Sequence, residues 1–185
     1  MFDYSKTLRS HAVTHSAPIT SLSLISESDS AYTIASSSHD LTGQITQITL
    51  SEDQSSSSTV LATLHLHTAP LSSVHSDGQW LLTSSWDGLV GFWDTSIPSS
   101  DEIPDPNLID RSKKRRRLDD GHKPKRKAPL SVLKSHTSRV SRAILSPVRQ
   151  KKAYSCGFDS TVRTWDTEHG TCEYTFVSMI PQLKS

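Results

Sequence analysis

Short runs of alternating apolar and polar residues recur along this chain, five to eight residues long and separated by turn signals. They include ITSLSLI from Ile19, AYTIASSS (31–38), LSSVH from Leu71, WLLTSS (80–85), VSRAIL from Val140 and KAYSCGF (152–158). Alternation at this length predicts half-buried β-strands. The runs come in pairs, and each pair opens after a histidine: His15-Ser-Ala-Pro18-Ile19, His67-Thr-Ala-Pro70-Leu71 and His136-Thr-Ser-Arg139-Val140. Each pair closes on a turn aspartate, Asp40, Asp87 or Asp159, and a third run follows. In two copies that third run ends in Trp-Asp six residues after the turn aspartate, at Trp93-Asp94 and Trp165-Asp166. The first copy has Thr46-Gln47 at the same place.

A less patterned fourth run precedes each histidine, at 5–10, 59–66 and 129–135, and CEYTFV (172–177) follows the last copy as an outer strand. Four short strands per unit, repeated with turn signals, predict an all-β chain built of β-propeller blades. From the turn aspartates, the upstream histidines and the two Trp-Asp pairs, the chain resembles a run of WD repeats. The expected organisation is a degenerate blade at 5–50, a serine-rich loop at 51–58 and a second blade at 59–95. An insert at 96–128, a third blade at 129–167, and an outer strand with a tail at 171–185 complete it. That makes about three four-stranded blades of a ring for which the resemblance implies seven.

The histidine, hydroxyl and aspartate of each copy look like a catalytic triad: His67, Thr83 and Asp87, then His136, Ser155 and Asp159, and more weakly His15, Ser36 and Asp40. A nucleophilic triad needs one exposed hydroxyl and a pocket with oxyanion donors. A set repeated once per blade and tied to Trp93 or Trp165 favours structure instead. In WD repeats the indole donates to the Ser/Thr hydroxyl, the histidine links to aspartate, and the aspartate ties the turn. Buried polar groups are costly unless paired, so a complete network of this kind fixes one geometry. No catalytic residue, cofactor site or metal site is expected. The cysteines lack zinc-type spacing, His65 and His67 sit two apart on a strand but one of them belongs to the repeat, and the glycines are single turn residues.

Composition changes the picture through charge. The net charge of +1 hides a segment, Arg111–Lys127, with ten basic and two acidic residues, leaving the remainder at −7. No apolar run reaches bilayer length, so no membrane partner is expected. Two cysteines, Cys156 and Cys172, do not make a disulfide scaffold, and Cys156 on a predicted inner strand reads as a buried, reduced thiol. The segment 96–128 has little to bury and high local charge, which predicts disorder. Within it stand Lys113, Lys114, Arg115, Arg116 and Arg117, then Lys123, Lys125, Arg126 and Lys127. This two-part cluster reads as a nuclear import signal engaging an import receptor, as a contact with RNA phosphates, or as a solvated charged loop. It contains no aromatic residue, which argues against base stacking there.

The wording of the third copy, SHTSRVSRAILSP…KAYSCGFDSTVRTWDTEHGTC, is more specific. Together with SSWDGLVGFWDT and the basic insert, it resembles the fungal Ytm-type WD-repeat ribosome-biogenesis factors. That resemblance implies a non-catalytic scaffold in large (60S) subunit assembly and pre-rRNA maturation, in nucleus, nucleolus and nucleoplasm. It also implies a complex with a pescadillo-type protein and a second WD-repeat protein. The family's ubiquitin-like domain, which engages a remodelling ATPase, is not seen ahead of the first copy, so that contact is not carried over. The tail VSMIPQLKS leaves the repeat, and is read as a truncated or mis-spliced product or a partial gene model. An open arc of three blades is expected to be marginally stable or insoluble alone. The residues just before each turn aspartate, His39, Trp86 and Phe158, are candidates for a partner-binding rim. Other readings are a generic nuclear WD-repeat adaptor of ubiquitin-ligase or chromatin type, and a pre-rRNA binder acting through the basic insert.

Overall fold

Each predicted alternation becomes a strand, held by backbone pairing and, in most, by cover on one side from a neighbouring sheet. A computed structural model describes residues 15–50, 56–103, 124–149 and 151–177. These form thirteen strands in three sheets, with no helix among the described residues. The first sheet joins β1 (Ile19–Ser28), β2 (Ala31–Ser38), β3 (Thr42–Leu50), β4 (Ser56–His65) and, out of sequence, β8 (Lys125–Lys127). The second holds β5 (Leu71–Ser76), β6 (Trp80–Ser85), β7 (Leu89–Asp94) and β9 (Ser131–Lys134). The third holds β10 (Val140–Leu145), β11 (Lys152–Gly157), β12 (Thr161–Asp166) and β13 (Thr171–Val177). This is a partial β-propeller.

The strands ahead of His67 and His136 do not begin a new sheet. β4 pairs with β3, and β9 pairs with β7, so each closes the outside of the preceding blade. A blade in space is therefore offset by one strand from the unit read between histidines. The innermost strands β1, β5 and β10 share a register shift at their start, at Ile19/Ser21, Leu71/Ser73 and Val140/Arg142. A bulge there adds local twist at the point where the strand enters the blade.

Two apolar layers hold the three sheets together. Ala35, Ile45, Ala62 and Leu64 of the first sheet meet Val74, Leu81 and Trp93 of the second. Leu82, Val90, Phe92 and Leu133 of the second meet Val140, Ala143, Leu145, Ala153 and Trp165 of the third. Polar seams run beside them. Ser72 Oγ donates to Val140 O at 2.7 Å, Ala143 N donates to Ser73 Oγ, and Leu145 N donates to His75 Nδ1 at 3.1 Å. The far side of the third sheet leaves Ile144, Val162, Tyr174 and Phe176 exposed, and β1 leaves Leu22 and Leu24 exposed. Cys156 lies on that uncovered side and is half-buried, on the second strand of its blade rather than sealed in an inner one.

Two expected loops are corrected in part. Within the serine-rich stretch 51–58, Ser56–Ser58 belong to β4 and pair with Ile48, Thr49 and Leu50. Backbone pairing satisfies N–H and C=O groups whatever the side chains are, so a run of serines extends the hairpin. Within the insert 96–128, residues 96–103 and 124–128 are placed, and Lys125–Lys127 form β8, parallel to β4 through Ala62, Thr63 and Leu64. The expected strand at 5–10, the basic residues Lys113–Arg117 and Lys123, and the tail from Ser178 lie outside the described residues.

Candidate functional site: a buried network, an aromatic rim and a pinned basic strand

The network is assembled by hairpin geometry. β6 carries Thr83 and ends at the turn holding Asp87, while β7 brings Trp93 back alongside Leu81. His67, just beyond β4, points into this turn. Its Nδ1 lies 3.0 Å from Asp87 Oδ2, its Nε2 lies 2.9 Å from Thr83 Oγ1, and the Trp93 indole N–H donates to the same oxygen at 3.0 Å. The third sheet repeats this. His136 meets Asp159 and Ser155, both at 2.7 Å, and Trp165 Nε1 donates to Ser155 Oγ at 2.8 Å. In the first sheet His15 meets Asp40 at 2.9 Å and Ser36 at 2.8 Å, with Thr46 where the indole would stand.

Each carboxylate is held low. Burial pushes Asp87 up, but the bonds from His67 and from the Leu89 and Thr68 backbone N–H groups outweigh it and bring it below its ordinary value. Asp159 and Asp40 are likewise raised by burial and lowered further by Thr161 with His136, and by Thr42 with His15. Thr83 is fully buried and its oxygen is shared between imidazole and indole. A hydroxyl so enclosed has no path to a substrate, so the geometry supports packing rather than nucleophilic chemistry.

Several members escaped sequence reasoning. Thr42 and Thr161, two residues after their aspartates, each donate to the carboxylate at 2.7 Å; the Asp-x-Thr spacing is a signal present in the sequence. Arg163 reaches Thr161 through Nε at 3.2 Å, bonds Ser135 Oγ, and lies 3.7 Å from Asp159. In the second sheet Gly91 takes the register position of Arg163, and a Cβ there would stand 2.7 Å from both Thr83 Oγ1 and Trp93 Nε1. The turns use left-handed backbone at Leu41 (φ 72°), Gly88 (φ 84°) and Ser160 (φ 58°), of which only glycine fits without strain.

The rim candidates share one end of the sheets. The backbone N–H groups of His39, Trp86 and Phe158 donate to Pro18 O, Pro70 O and Arg139 O at 3.0, 3.0 and 2.8 Å. Trp86 stands between neighbours, with the His39 ring 5.2 Å away and Arg139 Cζ 4.6 Å from its centroid. Trp86 keeps 37% of its surface exposed and Phe158 keeps 71%. His39, Trp86 and Arg139 thus link three successive blades, a juxtaposition that no local spacing announces.

The basic cluster is divided by the fold. Lys125, Arg126 and Lys127 do not form a free charged segment. Arg126 N donates to Asp101 Oδ1, Glu102 N donates to Arg126 O, and Ala128 N donates to Glu102 Oε2, each at 2.8 Å. Lys127 is 2% exposed. Its ammonium pairs with Asp94 and donates to Ser96 O at 2.7 Å, which holds Asp94 low against its partial burial. An inward lysine must find acceptors, and the second Trp-Asp pair supplies one. Among the described residues no three His, Cys, Asp or Glu side chains gather as a metal site.

The family model described as "WD domain, G-beta repeat" matches residues 58–94 and 127–166. Curated relatives named "Ribosome biogenesis protein YTM1" match two thirds of the chain or more. The Laccaria bicolor protein is 53% identical over 188 residues, covering 96% of this chain and 42% of its own length. The Coprinopsis cinerea protein is 55% identical over 187 residues, covering 94% and 41%. The Eremothecium gossypii protein is 36% identical over 139 residues, covering 67% and 31%. The chain spans about two fifths of the length of the first two.

Proposed function

The chain carries WD repeats and belongs, over nearly its whole length, with the Ytm-type ribosome biogenesis proteins, and from that premise we propose that it acts as a non-catalytic protein-binding scaffold in large (60S) subunit assembly and pre-rRNA maturation. The working place is nucleus, nucleolus and nucleoplasm. The partners follow from the family resemblance: a pescadillo-type protein and a second WD-repeat protein within a pre-60S complex. The observation that carries a binding role is the rim, where Trp86 is exposed yet fixed between His39 and Arg139. A rigid aromatic beside a guanidinium is the composition of an interface hot spot, because area is buried at little cost in side-chain entropy. The buried networks supply the rigidity beneath it.

The import reading narrows. Lys125–Lys127 are held in β8, so an import receptor or an RNA phosphate would engage Lys113–Arg117 and Lys123 in the folded chain. The test is co-sedimentation of the tagged chain with pre-60S particles from fungal extract. The unmodified chain is expected in the particle fractions, and Trp86→Glu with Phe158→Glu is expected to leave them while keeping the unmodified chain's circular dichroism. Retention of that double variant on the particles rejects the rim as the docking surface. Absence of the unmodified chain from every pre-60S fraction rejects the scaffold reading.

A further inference from the structure

At the strand ends opposite the aromatic rim, a cleft of about 430 Å³ opens between the second and third sheets. We propose that this cleft binds one unpaired nucleotide of RNA, its base against Trp80 and its phosphate on Arg149. The inference rests on the ribosome-assembly reading and adds to it an RNA contact within the folded blades, distinct from the basic insert.

The aromatic wall comes from Trp80, half-buried at the start of β6, whose ring lies 5.2 Å from that of Phe92. Base–aromatic stacking is tolerant of sequence because every base has a π-face. Two exposed polar residues, Asp77 and Gln79, line the same space, with Asp77 Oδ1 fixed by the Gln79 and Trp80 backbone N–H groups at 3.0 and 2.7 Å. Thr167 is 1% exposed, and its Oγ1 is buried with no hydrogen-bond partner. Enclosed in this way, the Thr167 hydroxyl belongs to the cleft wall and does not reach a ligand.

The opposite lip is braced and, among the described residues, carries one free positive group. Ser146 N donates to Lys152 O, Arg149 N donates to Ser146 Oγ at 3.0 Å, and Thr167 N donates to Lys151 O. Lys151 pairs with Glu168 at 2.8 Å, and Lys152 pairs with Glu173 and Asp166. The Arg149 guanidinium has no partner among the described residues and stands exposed at the mouth. A free guanidinium beside two neutralised lysines offers one phosphate its fork of donors. The alternative occupant, an acidic peptide, would set its carboxylates against Asp77, whereas a base amino group would donate to that same carboxylate. The volume falls within the roughly 300–1,000 Å³ range of small-ligand sites. It admits a splayed base and excludes a duplex.

The experiment uses the full chain with Arg111, Lys113–Arg117 and Lys123 changed to serine, so that these insert cations add no RNA affinity. Fluorescence anisotropy with a labelled single-stranded uridine octamer gives the dissociation constant, and photo-crosslinking maps the contact. Crosslinks are expected within 77–80 and 146–152. Arg149→Glu, a surface change, is expected to weaken binding tenfold or more. Trp80→Phe, which keeps an aromatic wall, is expected to weaken it severalfold with the fold unchanged by circular dichroism. A duplex of the same length should not compete. Absent binding, affinity unchanged in Arg149→Glu, crosslinks confined elsewhere, or tighter binding of a labelled Glu-Glu-Phe-Glu-Glu peptide each overturns the proposal. Co-sedimentation of the same variants with pre-60S particles separates the two readings: lost octamer binding with retained co-sedimentation removes the cleft alone.

Discussion

Replacing Thr83 by valine isolates what the buried network contributes. The two side chains have nearly the same shape, so no cavity forms, and the change removes only one oxygen. That oxygen accepts the Trp93 indole N–H at 3.0 Å and lies 2.9 Å from His67 Nε2. In the neutral tautomer with its proton on Nδ1, the imidazole donates to Asp87 and accepts the Thr83 hydroxyl proton, so valine orphans a donor and an acceptor together. Thr83 and Trp93 are fully buried and His67 nearly so, which leaves water no route to replace the bond. A buried group stripped of its partner costs about 1–3 kcal/mol, so Thr83→Val is expected to lose about 2–5 kcal/mol. The internal control is Ser36→Ala, where His15 Nε2 at 2.8 Å loses its partner and no indole is involved; about 1 kcal/mol is expected there. Urea unfolding followed by tryptophan fluorescence and circular dichroism reads both. A Thr83→Val loss equal to that of Ser36→Ala, or below about 0.5 kcal/mol, would refute the claim that hydroxyl, imidazole and indole act as one unit.

Lys127→Met keeps the apolar stem but removes the ammonium from Asp94 and Ser96, and is expected to cost about 1–3 kcal/mol, since Asp94 retains some access to water. Hydrogen exchange should show β8 and the outer edge of β4 opening first; unchanged protection there would contradict the pinned-strand geometry. Gly88→Ala is expected to lose about 1–2 kcal/mol in the same urea assay, because φ is +84° and the new Cβ meets Ser138 O at 3.3 Å. Leu41→Gly, at φ 72°, is expected to be neutral or stabilising, and equal losses at both turns would argue against backbone strain. Stability should fall as pH drops below about 6.5. Burial and the neighbouring Arg142 charge lower His75 from its ordinary 6.5, against a weaker upward pull from Asp77, so the unfolded chain takes up the proton first. His75→Gln should flatten melting temperature between pH 7.5 and 5.5, and an unchanged slope would remove His75 as its source. A second decline is expected from about pH 4 downward, where the unfolded carboxylates protonate before the depressed Asp87 and Asp159.

The three His–hydroxyl–Asp sets and the two indoles are legible in the chain because each is built within one or two adjacent hairpins. Alternation fixes which residues face inward, and the turn aspartate fixes register, so separations of 16–25 residues for the histidine partners and 10 for the indoles suffice to specify them. Serines 56–58 and Cys156 show where that reasoning stops. Backbone pairing extends a strand into a polar run, and a thiol on a well-patterned strand is half-exposed when no sheet covers its side.

The amino-acid sequence by itself determined the repeat, the all-β class and the composition of each network, since all three follow from periodicity and short-range spacing. Only the tertiary structure decided what distant segments do to one another. Lys125–Lys127 read as part of an import or RNA-contact cluster in a disordered insert, yet join β4 across about sixty residues, where Asp94 and Ser96 accept the Lys127 ammonium. The stack of His39, Trp86 and Arg139, and the cleft between Trp80 and Arg149, exist only where separate blades meet. Such contacts depend on the packing angle of neighbouring sheets, which the buried layers around Trp93 and Trp165 set and which no local pattern carries.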